Sequence, residues 1–304
     1  MAPACRGAAS PVVVLGPTAS GKSDVAMAAA RAVAETEIVA VDAMQVYRGM
    51  DIGTAKPTPA DRAAVRHHGI DLVDPDVDFT VADYRRAYDV ALASMHGRPL
   101  LVAGTGLYLS AVVDRLDVPG QWPGIRAELE ATEDVASLFA RLESLDPLAA
   151  SRTEPANRRR VVRALEVTLG SGRPFSSFGP GLQAYPPTDV VLLGLRWPRD
   201  VLGARIERRV EAMMAAGLLD EVARLARRGL SRTATQALGY KELLAYLDGA
   251  VGLDEAVAST VTRTRQFAVR QERWFRRDPR IRWFDIDRDP VAEVAPAVVA
   301  ALRT

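Results

Sequence analysis

The stretch Gly16-Pro17-Thr18-Ala19-Ser20-Gly21-Lys22-Ser23 matches the pattern G-x-x-x-x-G-K-[ST] in full. Glycines let the backbone curl so that successive N–H groups turn inward and cradle a diphosphate at the positive end of the following helix. Lys22 brings a compact point charge to the phosphate oxygens, and the Ser23 hydroxyl can reach a Mg²⁺ ion. A second group is Asp42-Ala43-Met44-Gln45. Asp42 can act as a general base, a helix cap or a magnesium ligand. Gln45 carries an amide able to bond an adenine edge bidentately. A third group, Gly104-Thr105-Gly106, is a tight turn carrying a hydroxyl. It is not a dinucleotide fingerprint, because Leu109 stands where a third glycine is needed. Polyphosphate binding is the firmest inference. The loop by itself serves nucleotide-binding and ATP-binding kinases and NTPases, and equally any enzyme whose leaving group is diphosphate.

All three groups sit where a strand should end. Val12 to Leu15 is a short apolar run closing at Gly16, Ile38 to Val41 is a second closing at Asp42, and Pro99 to Ala103 is a third closing at Gly104. Such runs predict buried parallel strands, and ligands bind beyond the carboxyl ends of those strands. Asp24 to Val33 is alanine-rich and helical by propensity. Thr80 with Asp83 three residues on predicts a capped helix reaching about Met95. The alternation implies an α/β fold, a P-loop NTPase-like parallel sheet core. Helical periodicity then takes over around Ile125–Leu129, Val135–Leu142 and Val161–Leu169, followed by a Gly/Pro/Ser-rich loop from Gly170 to Pro187 and a strand over Val190 to Leu195. The expected organisation is a discontinuous core of residues 1–116 and 200–304, with a helical insertion domain at 117–199. Helices near Val201–Ala216, Leu218–Arg227 and Glu255–Arg277 and a strand at Ile281–Phe284 complete the pattern.

At 304 residues, with 48% apolar and 25% charged residues, the chain is long enough for a large core and ordinary in composition. No run nears the ~20 apolar residues that a membrane helix needs, so no membrane partner is expected. Met1 to Ser10 lacks an apolar segment and reads as a short disordered leader. The lone Cys5 forms no internal disulfide, which suits a reducing cytoplasm. Three histidines with one remote cysteine make no zinc set, so His67-His68 reads as structural. Lysine occurs only at positions 22, 56 and 241; arginine carries the rest of the positive charge. From Arg263 to Arg282 there are eight arginines against Glu272 and Asp278, and Arg263, Arg270, Arg273 and Arg277 fall on one helical face. Clusters of this kind favour nucleic acid, although each arginine singly can be part of an ion-paired surface.

The run VDAMQVYRGMDIGTAKPT after GPTASGKS resembles the signature of the tRNA dimethylallyltransferases. Further blocks follow in order: HHGIDLVDPDVDFTVADYRR, LLVAGTGLYLSAVVD, RRRVVRALEV, QALGYKEL and TRTRQFAVRQERWFRR, spanning roughly Val12 to Phe284. One departure is Ala43, where the family commonly has serine. The resemblance implies transfer of a dimethylallyl group from dimethylallyl diphosphate to N6 of adenine 37, beside the anticodon of tRNA. Asp42 would take the proton, Lys22 and Mg²⁺ would stabilise the departing diphosphate, and Thr105 would orient diphosphate or nucleotide. It also implies tRNA contacts from Asp42, Ala43, Met44, Gln45, Thr105, Arg126, Arg159, Arg160, Val161, Val162 and Arg163, in an enzyme expected to act as a monomer. The rivals are a small-molecule P-loop kinase, an adenylate isopentenyltransferase and an RNA-binding NTPase; the basic clusters are superfluous for a small acceptor.

Overall fold

The computed structural model describes residues 10–179, 181–182 and 184–304. The expected leader, Ser10 apart, lies outside the described residues, as does Cys5. The chain divides into two compact units, one running up to Val113 and again from Pro187 to Thr304, the other Asp114–Pro186.

The first unit is a six-stranded, all-parallel sheet with helices on both faces. Its strands are β1 (Val12–Leu15), β2 (Thr36–Val41), β3 (His67–His68), β4 (Arg98–Ala103), β5 (Val191–Arg196) and β6 (Arg282–Asp285), in the order β3-β2-β4-β1-β5-β6. The helices before the second unit are α1 (Lys22–Ala32), α2 (Pro59–Ala64), α3 (Val81–Ser94) and α4 (Gly106–Val113). The P-loop NTPase-like fold expected from strand–helix alternation is the fold found. The insertion boundary moves, however. Val191–Arg196 pairs with β1 on one side and β6 on the other, so this strand belongs to the core sheet and not to residues 117–199 as expected.

Central strands buried on both faces need apolar residues at every position, and β1 is fully buried along its length. Val13 and Leu15 join Val39, Val41 and Leu101 in one cluster, while Val12 and Val14 join Leu100, Leu193 and the inner faces of α1 and the C-terminal helix in another. Each such side chain contributes roughly 1.5–3 kcal/mol on burial. Helix α3 starts as its sequence predicts: Thr80 and Asp83 form a reciprocal capping box. Register decides what these strands deliver. Leu15 is level with Ala103, and Ala103 with Val41, so Gly16, Gly104 and Asp42 leave neighbouring strands at one height.

The second unit holds α5 (Pro123–Ala131), α6 (Val135–Leu145), α7 (Pro147–Ser151) and α8 (Arg158–Ser171) around a core of Leu129, Leu138, Leu142, Val161, Val162 and Leu165. Returning to the first unit, the chain forms α9 (Arg199–Ala215), α10 (Leu218–Ala226), α11 (Arg232–Thr235), α12 (Tyr240–Leu247), α13 (Leu253–Phe275) and α14 (Pro290–Arg303). Sequence reading has no element at α14. Pro296 breaks its helical signal, yet Val294, Val298 and Leu302 bury one face and Asp289 caps the first turn. Among the described residues no helix is long and apolar enough to cross a membrane.

Candidate active site

Three adjacent strand ends bring the three predicted groups together. Gly16 to Ser23 follows β1, Asp42 to Gln45 follows β2, and Gly104-Thr105 follows β4, which lies between them. A Cβ placed on Gly104 would meet Asp42 Oδ2 at 3.1 Å and both Lys22 Cε and Gln271 Nε2 at 3.5 Å. Carboxylate, lysine and amide therefore converge over a glycine whose missing side chain leaves the space open.

The Gly16–Ser23 loop leaves several backbone donors open. Gly21, which precedes helix α1, supplies no side-chain cap. The N–H groups of Ala19, Gly21, Lys22 and Ser23 find no acceptor among the described residues. Unsatisfied donors at a helix N-terminus attract anions. Gly16 cannot be replaced without conflict, since a Cβ there would lie 2.9 Å from Ser20 Oγ and 3.0 Å from Leu195 O. Lys22 Nζ reaches Pro17 O at 3.4 Å. Burial, with Arg209 adding to it, lowers the Lys22 pKa to about 8, against the opposing pull of Asp42. Its cation is thus poorly compensated and suited to a polyanion. The Ser23 hydroxyl is exposed and makes no hydrogen bond among the described residues, and Asp24 is next to it. This sparse set of hard oxygens fits Mg²⁺, which keeps waters and takes its other ligands from substrate phosphates.

Asp42 takes up one of the roles open to it. Its Oδ1 accepts from Met44 N (2.8 Å) and Gln45 N (3.4 Å), capping the turn, while Oδ2 faces Gly104. Thr105 Oγ1 accepts from Ala43 N at 3.1 Å, tying the β4 loop to the β2 loop. Gln45 is held differently from the bidentate expectation. Its Nε2 donates to Thr54 O (3.1 Å) and Ala55 O (3.3 Å), and two carbonyl partners settle which end is nitrogen. Only Oε1 remains to meet a ligand.

Four residues outside the predicted set complete the site. Gln271 of α13 accepts from Thr18 N (2.8 Å) and donates to Gly104 O (2.6 Å), joining two of the loops. Trp274, one turn on, packs against Gly106, whose added Cβ would fall 2.2 Å from its ring. Arg209 of α9 is half-buried and forms no hydrogen bond or ion pair among the described residues; burial lowers its pKa, offset by Asp42 and Asp24. Glu221 of α10 accepts from the N–H groups of Asp51, Ile52 and Gly53 at 2.9–3.1 Å and from the Tyr240 hydroxyl at 2.5 Å. Helical spacing carried a signal for Glu221. It falls in the stripe Leu218, Glu221, Val222, Leu225, where a buried acid needs partners.

In the second unit the predicted contacts separate. Val161 and Val162 are buried in its core, so their part is packing. Glu166 is fully buried, accepts from Trp122 N at 2.9 Å, and faces Arg163 Nη1 at 3.1 Å and Arg126 Nε at 3.5 Å. Arg163 also donates to Pro119 O. Arg159 and Arg160 are exposed, and their guanidinium groups have no hydrogen bond or ion pair among the described residues. On α13, Arg263 pairs with Glu242 at 3.3 Å, whereas Arg277, just past the end of the helix, lies over the Trp274 ring at 5.2 Å. His68, one of the two histidines read as structural, bonds Glu37 at 2.6 Å.

The family model described as IPP transferase matches residues 45–278. A tRNA dimethylallyltransferase of Geobacter sulfurreducens is 48% identical over 284 residues, covering 90% of this chain and 91% of its own. Its counterpart in Streptomyces coelicolor is 46% identical over 301 residues, with 95% of each chain covered. Among solved structures, a full-length tRNA isopentenylpyrophosphate transferase from Bacillus halodurans superposes with a TM-score of 0.69 at 38% identity, over 97% of both chains. A eukaryotic dimethylallyltransferase crystallised acting on tRNA superposes with a TM-score of 0.80 at 24% identity, over 96% of this chain and 78% of its own, a likeness of fold. A chain with these loops at its sheet edge, matched over nearly its whole length, belongs to the IPP transferase family of tRNA-modifying enzymes.

Proposed function

We propose that the protein transfers a dimethylallyl group from dimethylallyl diphosphate to N6 of adenine 37 in tRNA, releasing diphosphate. The observation that carries this reading is the meeting of Asp42 Oδ2 with Lys22 over Gly104. A base and a diphosphate cradle in one open space are what a displacement at an allylic carbon requires. The N6 nitrogen forms a bond to the allylic carbon as that carbon's bond to diphosphate oxygen breaks, its electron pair leaving with the diphosphate. The N6 proton passes to Asp42 Oδ2. The free N–H groups of the phosphate loop, with Lys22 and Arg209, stabilise the charge that develops on the leaving group. Ser23 would hold Mg²⁺, which supplies further neutralisation of the diphosphate.

Thr105 keeps Asp42 and its loop in place through Ala43 N. That bond is made to the backbone of Ala43, so it does not depend on the serine hydroxyl that the family commonly has there. Gln45 offers Oε1 as an acceptor, which suits an amine on the base edge better than a carbonyl. The adenine must leave its stack to reach such a site, at a cost of a few kcal/mol that is least in a loop. Arg159 and Arg160 are free to hold tRNA phosphates. The protein would work as a monomer in the cytoplasm, where its acceptor is found.

The test is a transfer assay with purified protein, Mg²⁺ and labelled dimethylallyl diphosphate. One arm contains tRNA lacking the modification, a second AMP, and a third ATP with no acceptor. Label enters tRNA alone if the proposal holds. Label in AMP, or turnover of ATP with no label in tRNA, would leave the phosphate loop standing and remove the acceptor.

A further inference from the structure

A loop that binds phosphate through its N–H groups must turn its carbonyls the other way, and carbonyls turned into protein need donors. Here two consecutive carbonyls of the phosphate loop have such donors, neither from the loop itself. Arg205 Nε donates to Ala19 O at 2.8 Å, and Trp197 Nε1 donates to Ser20 O at 2.9 Å. The two side chains support each other, since the Arg205 guanidinium stacks over the Trp197 ring at 4.5 Å. Trp197 is buried and follows β5; Arg205 lies on α9, one turn before Arg209.

Each bond fixes one peptide plane. The peptide held by Arg205 contains the N–H of Ser20, which closes the loop's turn onto Pro17 O at 3.3 Å. The peptide held by Trp197 contains the N–H of Gly21, one of the donors left open for an anion. If that plane turned over, a carbonyl dipole would face the phosphate in place of a donor. The backbone has reason to turn: Ala19 sits at φ 62, a left-handed conformation that a residue with a Cβ adopts only when its surroundings impose it. Gly21, at φ 89, is hemmed in by Pro290, which a Cβ would approach to 2.6 Å.

We propose that Trp197 and Arg205 are positioning residues that lock the phosphate loop in its anion-binding form by holding the Ser20 and Ala19 carbonyls outward. The proposal rests on the assignment of this loop to the diphosphate of the donor substrate. Its effect is specific to the donor side, because neither side chain touches the loops that carry Asp42 or Thr105 in any bond described above.

The test compares wild type with Trp197→Phe, which keeps the ring and removes the N–H, and with Arg205→Lys, which keeps the charge. Affinity for inorganic diphosphate with Mg²⁺ is read by calorimetry, steady-state constants for both substrates by transfer assay, and folding by thermal melting. Trp197→Phe should bind diphosphate about tenfold more weakly. KM for dimethylallyl diphosphate should rise by a similar factor, while KM for tRNA stays within about twofold and the melting temperature holds. Arg205→Lys should act in the same direction. Unchanged diphosphate affinity in both variants would overturn the proposal, as would losses that fall equally on both substrates. Wild type that binds no diphosphate would instead remove the loop assignment on which the proposal stands.

Discussion

Near the carboxyl edge of the sheet, three buried polar side chains are bonded to backbone. Glu221 holds the N–H groups of residues 51–53, Gln271 bridges Thr18 N and Gly104 O, and Trp197 takes Ser20 O. In the helical unit one buried acid, Glu166, faces two arginine side chains as well as one backbone N–H, while another, Asp146, accepts from the N–H groups of Ala149 and Ser176. Glu221 and Glu166 separate two uses of a buried acid. Bonds to backbone fix the course of a loop and so aim the groups along it. The Arg126 contact joins α5 to α8, while Arg163 sits beside Glu166 on α8 itself, so both guanidinium groups are engaged by the fold. Of the arginines proposed to hold tRNA, Arg159 and Arg160 are the two whose guanidinium groups form no bond or ion pair among the described residues.

The largest effect expected concerns Asp42. Asp42→Asn keeps an acceptor for Met44 N but loses the base, so single-turnover transfer should fall by about 10²–10⁴-fold. Binding of tRNA should change far less. Near-normal turnover would take the base from Asp42 and leave it as a cap.

Next is Glu221→Gln, which weakens the clamp on the backbone of residues 51–53. An amide cannot accept from three N–H groups and the Tyr240 hydroxyl as a carboxylate does, and stability should drop by about 2–3 kcal/mol, read by urea unfolding. KM for tRNA should rise as well, because the loop it clamps supplies Thr54 O and Ala55 O to Gln45. A destabilised enzyme with unaltered KM would show that the clamp serves stability alone.

Lys22 supplies a pH test. Burial and Arg209 hold its pKa down to about 8 in the free protein, and a bound diphosphate favours the charged form. Donor affinity is therefore full below about pH 8 and should fall above it by up to about tenfold per pH unit. Lys22→Arg keeps its charge and should lose this decline. A flat wild-type profile would mean that Lys22 stays protonated throughout.

The smallest effects sharpen the other side. Arg159→Ala and Arg160→Ala should each weaken tRNA binding by roughly threefold to tenfold and flatten its salt dependence, with melting unaltered. Arg163→Ala should lower the melting temperature because it strips a partner from buried Glu166. Equal effects on melting from all three would dissolve the distinction.

How much was legible follows the same division. The phosphate loop, Asp42 and Thr105 could be read because each directly follows an apolar strand, so chemistry and position are contiguous in sequence. Parallel strands buried on both faces also announce themselves by unbroken apolar runs. Arg209, Gln271 and Glu221 could not be placed, because they reach the site from helices far along the chain and act through tertiary contact. Glu221 and Gln271 do leave a trace as polar residues inside buried helical stripes, Gln271 between Ala268 and Phe275. The RRVVR run, residues 159–163, shows the opposite limit. Five adjacent residues that look like one contact surface divide on folding between core valines, exposed arginines and Arg163, which faces buried Glu166. Only the direction of each residue on the helix separates them.

In the proposed reaction an exocyclic amine at position 37 of tRNA attacks the allylic carbon with Asp42 as its base. A single-turnover transfer to tRNA in which adenine 37 is replaced by purine, which lacks N6, puts this to the test. Such a tRNA should compete with the normal one for binding and take up no dimethylallyl label. Label incorporated into the purine-containing tRNA, at any position, would rule out N6 as the attacking atom.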